Sequence, residues 1–268
     1  MYKAAALLLF LASALGVPAA LQLRLRAAPP RPAAAVTDPP ATPRAALVGD
    51  SLAYEAKSYF SFFAATRGYD VETHAFGGTA PCDWAPDIAD MAARPEPARP
   101  STVVFEFTGN AFSGCMRPAG APLPPTRAIL WRYQRDVLAE VATLEAAGIH
   151  PVLALSPAVG HRSLVPDIND LWRRMAGHDP RIGLLDAGVL LDTPSGGFTR
   201  TLPCGAWEGP AQGCDDGVVT VRAADRTHFC PTIEQTVDGV VGICPVPSPG
   251  AVRYGMSLAA ALAPLPPA

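Results

Sequence analysis

Short unbroken apolar runs alternate along this chain with longer stretches whose apolar residues recur at helical spacing. Ala45 to Val48, Tyr69 to Phe76, Thr102 to Phe107, Val152 to Leu155 and Ile182 to Leu185 read as five strands. Between them, Leu52 to Arg67 reads as a helix stopped by Gly68, and Leu164 to Ala176 as another. The longest helical pattern runs from Thr126 to Ala147, where Ile129, Tyr133, Val137, Val141 and Leu144 share a face and Gly148 ends it. Strands alternating with helices predict an α/β fold around a parallel sheet of about five strands, covered on both faces. Residues 191 to 224 break the rhythm. Glycine, proline and two cysteines crowd there around one strand-like run, Val218 to Val221. This segment is expected to pass over the face that carries the site, or to be a plain surface loop.

The N-terminus follows a different pattern. No charge occurs from Ala4 to Leu23, a length that suffices to cross a bilayer. Lys3 ahead of it and small residues at Ala12-Ser13-Ala14 and Val17-Pro18-Ala19 give the same stretch the shape of a secretory signal. Arg24 and Arg26 on its far side blur the charge asymmetry that would separate a cleaved signal from a membrane anchor. Residues 1–26 are therefore expected to be one or the other, 27–43 a Pro/Ala-rich linker, and 44–268 one catalytic domain. Either way the domain is expected outside the cytoplasm, secreted or membrane-attached, and as a monomer.

Composition narrows the partners. Five basic residues (Lys3, Arg24, Arg26, Arg31, Arg44) face one acid (Asp38) in the first 44 positions, so the remainder is more acidic than the formal net charge of -3 suggests. Nucleic acid is excluded as a natural partner by that balance. The six cysteines, Cys82, Cys115, Cys204, Cys214, Cys230 and Cys244, form an even set without a Cys-x-x-Cys pair, which argues for disulfides and against a metal site. Pairing of neighbours is preferred: Cys82–Cys115, Cys204–Cys214 and Cys230–Cys244. The first pair would tie together the loops around Gly77 and Asn110.

Chemistry-bearing residues stand where strands should end. Ser51 follows the first apolar run, in Gly49-Asp50-Ser51-Leu52, and Asp225-Arg226-Thr227-His228 offers a carboxylate and an imidazole three residues apart. A serine needs a base to act as a nucleophile, and that base needs a carboxylate to hold its tautomer. Gly77-Gly78-Thr79 and Thr108-Gly109-Asn110 lie between them, each after a strand-like run. Glu106, a carboxylate inside the third run, has no evident role, and His74, His150, His161 and His178 are expected to be structural or solvated.

These four blocks, in this order over residues 45 to 230, resemble the conserved blocks of the SGNH, or GDSL-type, hydrolases. The resemblance implies a flavodoxin-like three-layer α/β/α sandwich with its site at the carboxyl ends of the strands. It implies Ser51 as nucleophile, His228 as base and Asp225 as its partner. The implied oxyanion hole consists of the backbone N–H of Ser51, the backbone N–H of Gly77 and the side-chain amide of Asn110. Gly78 stays open as the alternative to Gly77, which is preferred because the family pattern is commonly glycine, any residue, then threonine. Many members carry aspartate after the asparagine; this chain has Ala111, a departure that bears on loop geometry. Pro81-Cys82-Asp83-Trp84 is expected to wall the pocket or, for Trp84, to pack in the core. The implied activity is hydrolysis of carboxylic esters, such as short acyl or O-acetyl groups on glycans or lipids, with no cofactor. An O-acyltransferase on the same site and a non-catalytic carbohydrate-binding protein on the hydrolase fold are the alternatives. The intact Ser51, Asn110, Asp225 and His228 speak against the last.

Overall fold

The structure is a computed structural model that describes residues 42–230 and 248–263. The expectations for residues 1–26, for most of the linker and for Cys244 lie outside the described residues. Five strands, β1 (Arg44–Gly49), β2 (Asp70–Ala75), β3 (Thr102–Glu106), β4 (His150–Leu155) and β5 (Gly183–Asp186), form a parallel sheet in the order β2-β1-β3-β4-β5. Helices cover both faces, which makes the three-layer α/β/α sandwich. β1 and β3 are buried along most of their length, as their continuous apolar runs require.

Each face has its own core. Ala46, Val48, Val103 and Phe105 point toward α2 (Pro81–Ala93), α3 (Thr126–Ala146) and α4 (Val165–His178), and meet Ile88, Met91, Tyr133, Val137 and Trp172. Ala45, Leu47, Val104 and Val152 point the other way, toward α1 (Ser51–Ala65) and α5 (Pro249–Ala259), and meet Leu52, Ala56, Phe60, Tyr254 and Leu258. The side-chain alternation of a strand divides the two sets.

Two helices differ from the sequence expectation. α2 occupies residues that read as a pocket wall, and α5 was not expected at all. The 191–224 excursion also differs, because it divides. Phe198 lies under the Arg226 guanidinium, beside His228. The rest turns away as a two-stranded antiparallel ribbon, β6 (Thr201–Pro203) with β7 (Val218–Thr220), braced by a Cys204–Cys214 disulfide. Val219 of the ribbon and Val221 just after it join the α1/α5 core, and Arg253 of α5 bonds both Glu208 and the Pro203 carbonyl. A second disulfide joins Cys82 to Cys115. Two disulfides suit a chain that matures in an oxidising compartment. Among the described residues, no helix is long and apolar enough to cross a membrane.

Candidate active site

Strand order reverses between β1 and β3, and the blocks holding Ser51 and Asn110 leave the carboxyl ends of those two strands. This is the position at which open α/β sheets bind ligands. Ser51 is the first residue of α1, entered through Gly49 without slack: a Cβ at Gly49 would lie 2.4 Å from the Glu106 carbonyl oxygen and 2.5 Å from Ala53 Cβ. Only glycine lets β1 turn into the helix this close to β3.

The first turn of a helix has peptide N–H groups without helical partners. Here two are taken by buried carboxylates. Asp50 Oδ1 accepts the Leu52 N–H at 3.2 Å, and Glu106 Oε2 accepts the Ala53 N–H at 3.0 Å. Glu106, without a role in the sequence, is thus the floor of the site. Its other oxygen accepts the Ser156 and Tyr254 hydroxyls, and burial together with the neighbouring Asp50 raises its pKa well above the usual range. Among the described residues no protein acceptor takes the N–H of Ser51.

Asp50 also organises the third block. Its Oδ2 accepts the backbone N–H and the hydroxyl of Thr108, at 2.7 and 2.6 Å, and Asn110 Nδ2 at 2.9 Å. Asn110 Nδ2 also lies 3.5 Å from the Thr108 hydroxyl oxygen, so Asp50 and Thr108 together fix the amide plane. Tyr133 Oη holds the Asn110 carbonyl at 2.8 Å. Burial raises the pKa of Asp50, and the hydrogen bonds from Thr108 and Leu52, with the His228 charge, work against that rise. On the other side, Gly77 lies against the nucleophile, since a Cβ there would sit 3.9 Å from Ser51 Cβ. Gly78 takes the left-handed turn (φ 81°) and has nothing near it. Thr79 Oγ1 bonds the carbonyls of Gly49 and Phe76, and itself accepts Trp84 Nε1. Trp84 therefore braces the glycine turn while packing partly against the core.

Asp225 and His228 form a closed unit. Asp225 Oδ1 accepts the N–H groups of Thr227 and His228, and Oδ2 meets His228 Nδ1 at 2.5 Å. Burial opposes the Asp225 charge, but the bonds from His228 and Thr227 outweigh it and hold this carboxyl below the usual carboxylate range. The bond at Nδ1 places the neutral imidazole's proton there and leaves Nε2 as the acceptor. Around the unit, Gly160 N–H bonds the Arg226 carbonyl, and His161 Nε2 lies 2.6 Å from the Thr227 hydroxyl. His161 is thus a structural neighbour of the pair.

The loop is fastened to α1. Glu55 Oε2 accepts the N–H of Phe229 at 2.7 Å and of Cys230 at 3.2 Å. The His228 charge lowers the pKa of both the Glu55 and the Asp50 carboxyl, which stand on either side of Ser51 in the sequence. Beneath, the fully buried Arg222 stacks on the Phe229 ring at 4.9 Å and lies 3.6 Å from Asp192, whose pKa burial pushes up to about 6. Sequence reasoning missed Glu55, Asp192 and Arg222. The first block's only further signal was a carboxylate one helical turn after Ser51. The one grouping of possible metal ligands among the described residues, Cys82, Asp83 and Cys115, has both sulfurs in a disulfide.

No family model matches the chain, and no curated protein does. Solved structures do. One is a protein assigned to the lipolytic G-D-S-L family from Desulfitobacterium hafniense DCB-2, at 14% identity and a TM-score of 0.49, covering 82% of this chain and 99% of its own. A second is the C-terminal catalytic domain of peptidoglycan O-acetyltransferase A from Streptococcus pneumoniae, at 16% identity and a TM-score of 0.44, covering 82% and 92%. A third is a GDSL-like lipase from Bacteroides thetaiotaomicron VPI-5482, at 15% identity and a TM-score of 0.42, covering 66% and 79%.

Proposed function

We propose that this chain is an SGNH-type serine esterase that acts outside the cytoplasm on carboxylic esters, through an acyl-enzyme. The observation that carries the proposal is that the Asp225–His228 pair sits on a loop bonded through Glu55 to α1, the helix that begins with Ser51, while Gly77 lies against Ser51 and Asn110 is held by Asp50 at the same helix start. His228 Nε2 takes the Ser51 proton as Oγ attacks the ester carbonyl. The tetrahedral oxyanion is met by the Ser51 and Gly77 N–H groups and by the Asn110 side-chain amide, in place before the charge develops. Collapse expels the alcohol, which receives the proton from His228, and leaves Ser51 acylated. Water then attacks with His228 again as base, and the acid departs.

Exposed aromatic rings flank the oxyanion donors. Phe76, just before Gly77, is 44% exposed, and Phe112, two residues after Asn110, is 60% exposed. Such faces suit a sugar ring or a short acyl chain, which favours O-acyl groups on glycans or lipids as substrates. The disulfides and the uncharged Ala4–Leu23 stretch favour secretion or attachment to a membrane.

Ser51→Ala should abolish hydrolysis of p-nitrophenyl acetate without loss of folded protein, and a fluorophosphonate should label Ser51 in the parent enzyme. Turnover that survives the substitution, or label on another residue, would remove the assignment. A panel of esters of increasing chain length, with and without a polysaccharide acceptor, then reads the acyl preference and shows whether water or a sugar hydroxyl takes the acyl group.

A further inference from the structure

Glu55 lies one helical turn after Ser51, so the two side chains rise from the same face of α1. It is only 6% exposed. Its bonds go to the two peptide groups that immediately follow His228, which are 174 and 175 residues away along the chain. Nucleophile and base arrive on segments from opposite ends of the domain, and this carboxylate is a direct bond between them. A glutamine oxygen could receive the same two N–H groups. What only glutamate adds is a negative charge, and the His228 charge lowers the pKa of this carboxyl.

We infer that Glu55 is a positioning residue: it sets His228 in register with Ser51, and its charge favours the imidazolium that forms as Ser51 gives up its proton. The inference takes Ser51 as the nucleophile, as proposed above. Other charged or titratable groups surround the imidazole. Asp225 bonds it from its own loop, and Asp50 acts on it from the start of α1. Arg222 stacks beneath Phe229, Arg226 lies over Phe198, and His161 reaches the loop through Thr227. Among these, Glu55 combines a bond to the loop backbone with residence on the helix of the nucleophile. Burial raises its own pKa, and the His228 charge and the two N–H bonds counter that rise, so its ionised form is tied to the pair it serves.

The test uses the full chain with Glu55→Ala and Glu55→Gln, hydrolysis of p-nitrophenyl acetate, and active sites counted by fluorophosphonate titration. Glu55→Ala should lower kcat per active site by about 10²-fold, the scale of a misplacement near 1 Å, with KM within about twofold. Glu55→Gln should recover most of that rate. Its acid limb of kcat/KM should move to lower pH, because the lost negative charge no longer assists protonation of the imidazole. A residue that merely holds the fold would lower melting temperature and active fraction while kcat per site and the acid limb stay as in the parent, and that result would overturn the inference. Should Glu55→Ala fail to fold, the Glu55→Gln profile decides, and an unshifted acid limb refutes the charge. Ser51→Ala run alongside separates the two levels. Turnover surviving there removes the nucleophile and this inference together, whereas an inert Ser51→Ala beside a parent-like Glu55→Ala removes only the role of Glu55.

Discussion

Four donors converge on the Asp50 carboxylate, and one of them, Asn110 Nδ2, is the proposed oxyanion donor. In the proposed mechanism this amide donates to the oxyanion, and Asp50 aims it. Asn110→Ala should therefore lower kcat by roughly 10²–10³-fold and change KM little, as for other side-chain oxyanion donors. Asp50→Asn should approach the same loss with Asn110 present, because an amide that accepts from Thr108 turns donors toward neighbours that are donors themselves. Steady-state kinetics on both variants checks this. A loss confined to KM would place Asn110 in substrate binding instead. At this scale the proposed site residues Ser51, Asn110, Asp225 and His228 stand out in the sequence because their spacing and context are local. Glu55 and Glu106 stayed hidden, because a glutamate in a helix or strand reads as a solvated or stray polar residue. Their partners across the fold, Phe229 and Ala53, are 174 and 53 residues away.

The elements that could be read from the sequence are those whose apolar residues repeat cleanly. All five sheet strands and the helices α1, α3 and α4 were visible in that way, to within a few residues at their ends. α2 was masked by Pro81 and Pro86 and by its acidic positions. α5 was masked by what makes it fit. Gly250 and Gly255 lower helix propensity, and Gly255 packs where a Cβ would lie 2.6 Å from the Phe60 backbone nitrogen and from Tyr59 Cβ. The helix is short on pattern because it is close to α1. Gly255→Ala should consequently destabilise the domain by about 1–3 kcal/mol, the usual cost of overpacking, even though alanine is the better helix former. Urea unfolding reads this, and a neutral or stabilising outcome would mean that α1 and α5 can separate without cost. Because α1 carries both Ser51 and Glu55, the same variant should also lose activity per active site.

For the molecule as a whole, stability depends on pH through carboxyls that the fold buries. Glu140 faces a cavity between α2 and α3 with Cys82, Ile88, Asp136 and Thr143, and neither of its oxygens has a partner among the described residues. Burial, reinforced by Asp136, raises its pKa from 4.5 to about 9. In the folded protein it keeps its proton through neutral pH, whereas the unfolded chain releases it near the ordinary value. Between those two values the native state binds the extra proton, so the contribution of Glu140 turns steadily against the fold as pH rises, by about 1.4 kcal/mol per unit at most. The loss begins above the unfolded value and levels off once the folded carboxyl ionises. Glu140→Gln keeps the shape and has no proton to lose. Relative to the parent it should gain stability between pH 6 and pH 8, as measured by urea unfolding at both, and the difference should be larger at the higher pH. An equal difference at the two pH values would show that Glu140 is ionised in the folded protein. The fold would then hold an unpaired interior charge beside the disulfide that joins the Gly77 and Asn110 loops.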